Sequence, residues 1–169
     1  AAGALGGDGC AGREDHAREN AGGEAGRGTG ERACGKRAVV AGGKFAPVGQ
    51  RGLFGSRQSY GVADYLQAAN DHTFLMVLIE DIVAIENLDE ILEVDHIDVF
   101  FVAPSDLAAS MGLIGQVDHA DVGRTIDEAL ARIQERGRVA GTLTNNENVA
   151  KYAAAGVQFL FTSTTSWLS

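Results

Sequence analysis

At 169 residues, with 45% apolar and 22% charged content, the chain suits one soluble globular domain with a sizeable core. Its net charge of −9 sets the summed field against nucleic acid and anionic membrane surfaces, which leaves small molecules as the expected partners. No stretch approaches the roughly 20 apolar residues of a membrane span, and no apolar signal segment opens the chain, so a cytoplasmic protein is expected.

Residues 1–36 are dominated by Gly, Ala, Arg and Glu, with one leucine and no valine, isoleucine or aromatic residue. Such a stretch cannot bury enough apolar surface to offset its ordering entropy. It reads as a disordered tail or linker, or as a segment foreign to the protein, such as a shifted reading frame. Cys10 and Cys34 lie in it without a CxxC spacing, so neither a disulfide framework nor a zinc site is read from them.

From Arg37 the pattern changes, and residues 37–169 are predicted to form one α/β domain. A long loop with four glycines and a proline follows Phe45 and leads into a helix over 62–69; loops of that length inside a domain are often functional. Phe74–Ile79 is a continuous apolar strand. "DIVAIENLDEILEV" follows as a helix with Ile82, Ile85, Leu88 and Leu92 near helical spacing. A second strand spans 97–102. A helix over 118–136 carries Val122, Ile126, Leu130 and Ile133 on one stripe, with Gly137 as its C-terminal cap. Strand 139–144, helix 146–155 and strand 157–162 complete the pattern. Apolar strands separated by helices predict a parallel sheet covered on both sides.

In parallel α/β folds, ligands gather beyond the C-terminal ends of strands. Glu80 closes "FLMVLIE" and Asp106 follows "VFFVAPSD", so two acids stand at such ends. Two carboxylates on neighbouring strands can hold a hard divalent cation and leave positions for water and substrate. The plainer alternative is that these acids serve helix ends: Asp106 with Ser105 as a cap for the turn through Ser110, and Glu80 with Asp81 as first-turn acids. His16, His72, His96 and His119 have no partner at i+4 and read as surface or turn residues. No GxSxG, GxxxxGK[ST] or GxGxxG pattern occurs in a strand-to-helix context.

"GQRG" (49–52), "IE" followed by "ENLDEIL" (86–92), and "IDVFFVAPSDLAASMG" (97–112) occur in this order. Together they resemble the HpcH/HpaI aldolase family of metal-dependent class II pyruvate aldolases, related to macrophomate synthase and citrate-lyase β-type enzymes. The resemblance covers residues 37–169. It implies the C-terminal part of a (β/α)8 TIM barrel, with parallel strands and covering helices. It also implies a divalent metal (Mg, Mn or Co) on Glu80 and Asp106, and a pyruvate carboxylate held by the backbone amides of Ser105 and Asp106. The implied reaction is carbon–carbon cleavage of 4-hydroxy-2-oxo acids to pyruvate and an aldehyde through a metal-stabilised enolate. A homo-oligomer is implied as well.

Ala103 and Ala108 stand where the family usually has glycine and serine, and Leu78 where many members have a glutamine near the metal. The family's histidine base and enolate-stabilising arginine have no counterpart here, so the catalytic residues stay unknown. Arg51 and Arg57 are the only basic residues in the long loop to consider, and structural contacts are expected of both. The chain reads as the metal-binding half of a barrel, with little activity expected alone. The other reading is a non-catalytic half-barrel that binds a metal or oxo-acid and assembles with itself or a partner.

Overall fold

The computed structural model describes residues 29–53 and 59–163. Helix α1 (Thr29–Gly43) opens this region and crosses the boundary drawn after residue 36; the reading of residues 1–28 lies outside the described residues. Ala, Arg, Lys and Glu are good helix formers, so a composition too poor for a core can still supply a helix once one residue anchors it. Val40 is that anchor, buried in the core of the sheet domain.

The turn after α1 is held by side chains. Buried Lys44 donates from Nζ to the carbonyls of Asn70 and Thr73, both at 2.6 Å, at the end of α2 (Tyr65–His72). The Asn70 amide closes a two-way pair with the Phe45 backbone. Helix α2 starts three residues later than its sequence predicts because Gly61 and Asp64 have positive φ (75° and 56°), which no helical residue adopts.

Four parallel strands follow: β1 (Met76–Ile79), β2 (Val99–Val102), β3 (Ala140–Thr144) and β4 (Phe159–Thr162), hydrogen-bonded in the order β1-β2-β3-β4. Sequential parallel strands joined by helices are the arrangement of consecutive βα units in a (β/α)8 barrel. The helix expected after β1 is two short ones, α3 (Ile82–Glu86) and α4 (Leu88–Leu92). They part at Asn87, whose side-chain amide bonds back to the Val83 carbonyl (2.7 Å) and competes with regular helix geometry. Helix α5 (Pro104–Ser110) leaves β2, α6 (Ala120–Glu135) precedes β3, and α7 (Val149–Ala154) precedes β4.

The core lies between one face of the sheet and the helices. Val77, Ile79, Phe100, Val102 and Ala140 point into it and meet Leu88, Ile91, Leu107, Ile126, Leu130 and Ile133. The alternate positions turn to the opposite face. There the expected burial on both sides is not met among the described residues: Leu78 is 41% exposed and Phe161 55%. In a closed barrel this face turns inward. Its rings already cluster, with Phe101 edge-on to Phe159 (6.2 Å) and Phe161 (6.5 Å). Gly141 makes room for them, since a Cβ there would lie 3.0 Å from both Phe101 and Val99 side-chain atoms.

This division predicts unequal mutational costs. Ile133→Ala empties a site with no exposed surface and should cost about 2–5 kcal/mol in a denaturant titration. Leu78→Ser, on the open face, should cost well under half as much.

Candidate functional site

Parallel pairing of Ile79 with Val102 brings the ends of β1 and β2 side by side, and the Ala103 amide donates to the Ile79 carbonyl (3.1 Å). Glu80 therefore leaves the sheet beside Ala103, and Asp106 follows within the first turn of α5, at the same end. Pro104 at the first helical position starts α5, because its fixed φ suits the helix and it has no N–H to leave unsatisfied. Ala103 is the N-cap and offers no side-chain bond, so Asp106 is not the cap of this helix. On the neighbouring connection, Asp81 caps α3 by accepting from the Ala84 amide (2.7 Å). Among the described residues, neither the Glu80 nor the Asp106 side-chain carboxylate takes part in a hydrogen bond or ion pair.

The two segments are also joined outside the sheet. The Ile82 amide donates to Ser110 Oγ (3.0 Å), and that hydroxyl donates to the Leu107 carbonyl (2.8 Å). Leu107 and Ala108 have no exposed surface, which fixes α5 on the core; alanine at 108 fits that packing. The amides of Ser105 and Asp106 belong to the first turn of α5, where intrahelical acceptors are lacking. Leu78 lies partly exposed on the open sheet face, and its carbonyl accepts from Lys36 Nζ (2.8 Å).

A cavity of about 450 Å³ opens beyond β2, β3 and β4, with Ser105, His119, Asn145, Asn148, Tyr152 and Ser163 in its wall. Neither Glu80 nor Asp106 lines it; it meets the carboxylate site through Ser105. Burial raises the Tyr152 hydroxyl above its usual pKa, and the Asp127 carboxylate bonded to Lys151 raises the lysine. Neither group touches the two acids.

The histidines take the surface and turn roles their spacing predicts. His72 ends α2, His96 sits in a turn at φ 63°, and His119 caps α6 through Nδ1, which accepts from the Asp121 amide. His16 lies outside the described residues. Arg51 is committed to the turn after α1: its guanidinium lies 4.8 Å from the Phe45 ring centre and its amide bonds to the Lys44 carbonyl. Arg57 lies outside the described residues. No cluster of three or more His, Cys, Asp or Glu occurs among the described residues. Glu80 and Asp106 offer carboxylate oxygens, the donor type that suits a hard cation keeping water and substrate ligands.

The family model described as HpcH/HpaI aldolase/citrate lyase matches residues 20–165. The chain belongs to the HpcH/HpaI aldolase/citrate lyase family. It is 42% identical over 122 residues to the hydroxypyruvate/pyruvate aldolase of Roseovarius nubinhibens, covering 69% of this chain and 48% of that protein. Against the 4-hydroxy-2-oxo-heptane-1,7-dioate aldolase of Escherichia coli it is 38% identical over 130 residues, covering 73% and 49%. The crystal structure of an HpcH/HpaI aldolase from Desulfitobacterium hafniense superposes with a TM-score of 0.67 at 33% identity, covering 78% of this chain and 53% of that one. The chain therefore spans about half the length of the curated relatives it matches. Within the HpcH/HpaI fold, the strands described here are four consecutive barrel strands.

The geometry separates Asp81 from Glu80. Asp81→Ala should lower stability by about 1 kcal/mol through loss of the α3 cap. Glu80→Ala should leave the denaturation midpoint within about 0.5 kcal/mol of the parent.

Proposed function

We propose that the chain carries the metal- and oxo-acid-binding part of a class II aldolase that cleaves 4-hydroxy-2-oxo acids to pyruvate and an aldehyde. The observation that carries this reading is the placement of Glu80 and Asp106, two carboxylates without partners among the described residues, at adjacent ends of parallel strands. They would hold Mg, Mn or Co, and such a cation supplies Lewis acidity at the keto oxygen of the substrate. The N–H groups of Ser105 and Asp106 receive the substrate carboxylate, where the first turn of α5 offers donors without helical acceptors. The names of the Roseovarius and Escherichia relatives support an oxo-acid aldolase reaction.

Among the described residues no His, Lys or Tyr bonds to either carboxylate, so turnover by these residues alone lacks the roughly 10²–10⁴-fold that general acid–base help provides. A cytoplasmic homo-oligomer completes the proposal. It agrees with the absence, among the described residues, of any helix long and apolar enough to cross a membrane, and with an apolar sheet face available for burial. That same face favours the second reading, a non-catalytic unit that binds metal or oxo-acid and assembles with itself or a partner.

The test is Mn²⁺ binding followed by electron paramagnetic resonance, with pyruvate release from 4-hydroxy-2-oxo acids measured alongside. Glu80→Gln and Asp106→Asn should each weaken Mn²⁺ binding by more than the roughly 10–100-fold typical of outer-shell partners. Pyruvate release should require Mg, Mn or Co and stop with EDTA. Unchanged Mn²⁺ binding in both variants sinks the metal assignment. Metal and pyruvate binding without any pyruvate release favours the second reading.

A further inference from the structure

Glu80 and Asp106 lie on different strand-to-helix connections, so a shared cation demands that the two connections keep a fixed spacing. The sheet secures that spacing only up to Ala103, whose amide bonds to Ile79. Beyond it the chain enters α3 on one side and α5 on the other. The Ser110 side chain bridges them by hydrogen bonds.

We propose that Ser110 is a positioning residue that holds Glu80 in register with Asp106 and thereby sets the affinity of the pair for a divalent cation; this rests on the metal-binding reading above. Its hydroxyl donates to the Leu107 carbonyl at 2.8 Å and accepts from the Ile82 amide at 3.0 Å. Ile82 is the first residue of α3, where no intrahelical acceptor exists for its N–H, so the serine oxygen takes a donor otherwise left to water. Leu107 is fully buried and adjoins Asp106 in sequence. Both carboxylates are thus referenced to one immobile residue: Asp106 through a single peptide bond, and Glu80 through Ser110, Ile82 and Asp81. Ser110 acts through these links and not as a ligand.

The bond also serves the end of α3, so the test must separate positioning from folding. Mn²⁺ affinity is measured by electron paramagnetic resonance on the full chain, alone and in a Glu80→Gln background, with circular dichroism as a check on folding. Ser110→Ala should weaken Mn²⁺ binding about tenfold, the low end for outer-shell partners. Ser110→Thr, which keeps the hydroxyl, should stay within about threefold of the parent. In the Glu80→Gln background Ser110→Ala should have no further effect, because the arm it positions no longer carries a charge. An unchanged affinity in Ser110→Ala overturns the proposal, as does an equal loss in both backgrounds or a loss in Ser110→Thr matching that in Ser110→Ala. If Glu80→Gln and Asp106→Asn themselves leave Mn²⁺ binding unchanged, the metal reading fails first and the proposal falls with it.

Discussion

The parallel pairing of β1 with β2 is the constraint from which the site follows. Because the strands run the same way with Ile79 opposite Val102, their C-terminal ends open at one level, and whatever follows each strand is delivered to a common edge. An antiparallel pair would place Glu80 and Asp106 at opposite ends. Parallel pairing needs a crossover on the face of the sheet, and the crossovers here are the helices whose apolar sides form the core. Arg132 reinforces the crossover from β1 by donating to the Ile85 carbonyl and, with Arg136, to Asp89, tying the α3–α4 segment to α6. The ion pairs are partly exposed and contribute little each. The buried stripe of α6 carries most of the stabilisation.

The same topology explains why the strands are apolar on both faces while, among the described residues, helices pack only one. Val77 and Phe100 meet the helices; Leu78, Leu143 and Phe161 face the other way and stay partly exposed. A barrel wall needs this pattern, since its inner face is filled by side chains from the strands themselves. Glycine at 141 between Val99, Phe101 and Phe159 fits that demand: it lets large rings close over the strand where a side chain would collide.

How far the sequence could be read follows from the range of each interaction. The β strands and the α6 stripe were legible because apolar periodicity is local, and so was the placement of both acids at strand ends. The late start of α2 was not, because it depends on Asp64 and Gly61 adopting positive φ. Nor was the division of labour between Glu80 and Asp81, adjacent acids of which only the second caps α3. By residue type Asp106 can cap a helix, yet Ala103 holds that place in α5, and only the backbone reveals it. Ser110 left no local signal at all: its partner Ile82 is 28 residues away in sequence.

Charge orders the events at the proposed site. An oxo-acid is an anion, and at the proposed site it would approach a chain of net charge −9 with Glu80 and Asp106 at the adjacent ends of β1 and β2. The N–H groups at the start of α5 carry only partial charges, against two full negative charges nearby. Their attraction alone does not offset that repulsion at close range, where the effective dielectric is below that of water. A divalent cation held, as proposed, by Glu80 and Asp106 would cancel the local charge and give the anion a positive centre beside the amide donors. On the proposed reading, cation binding would therefore come before anion binding, and the spacing of the two carboxylates would rest on the β1–β2 register and on Ser110.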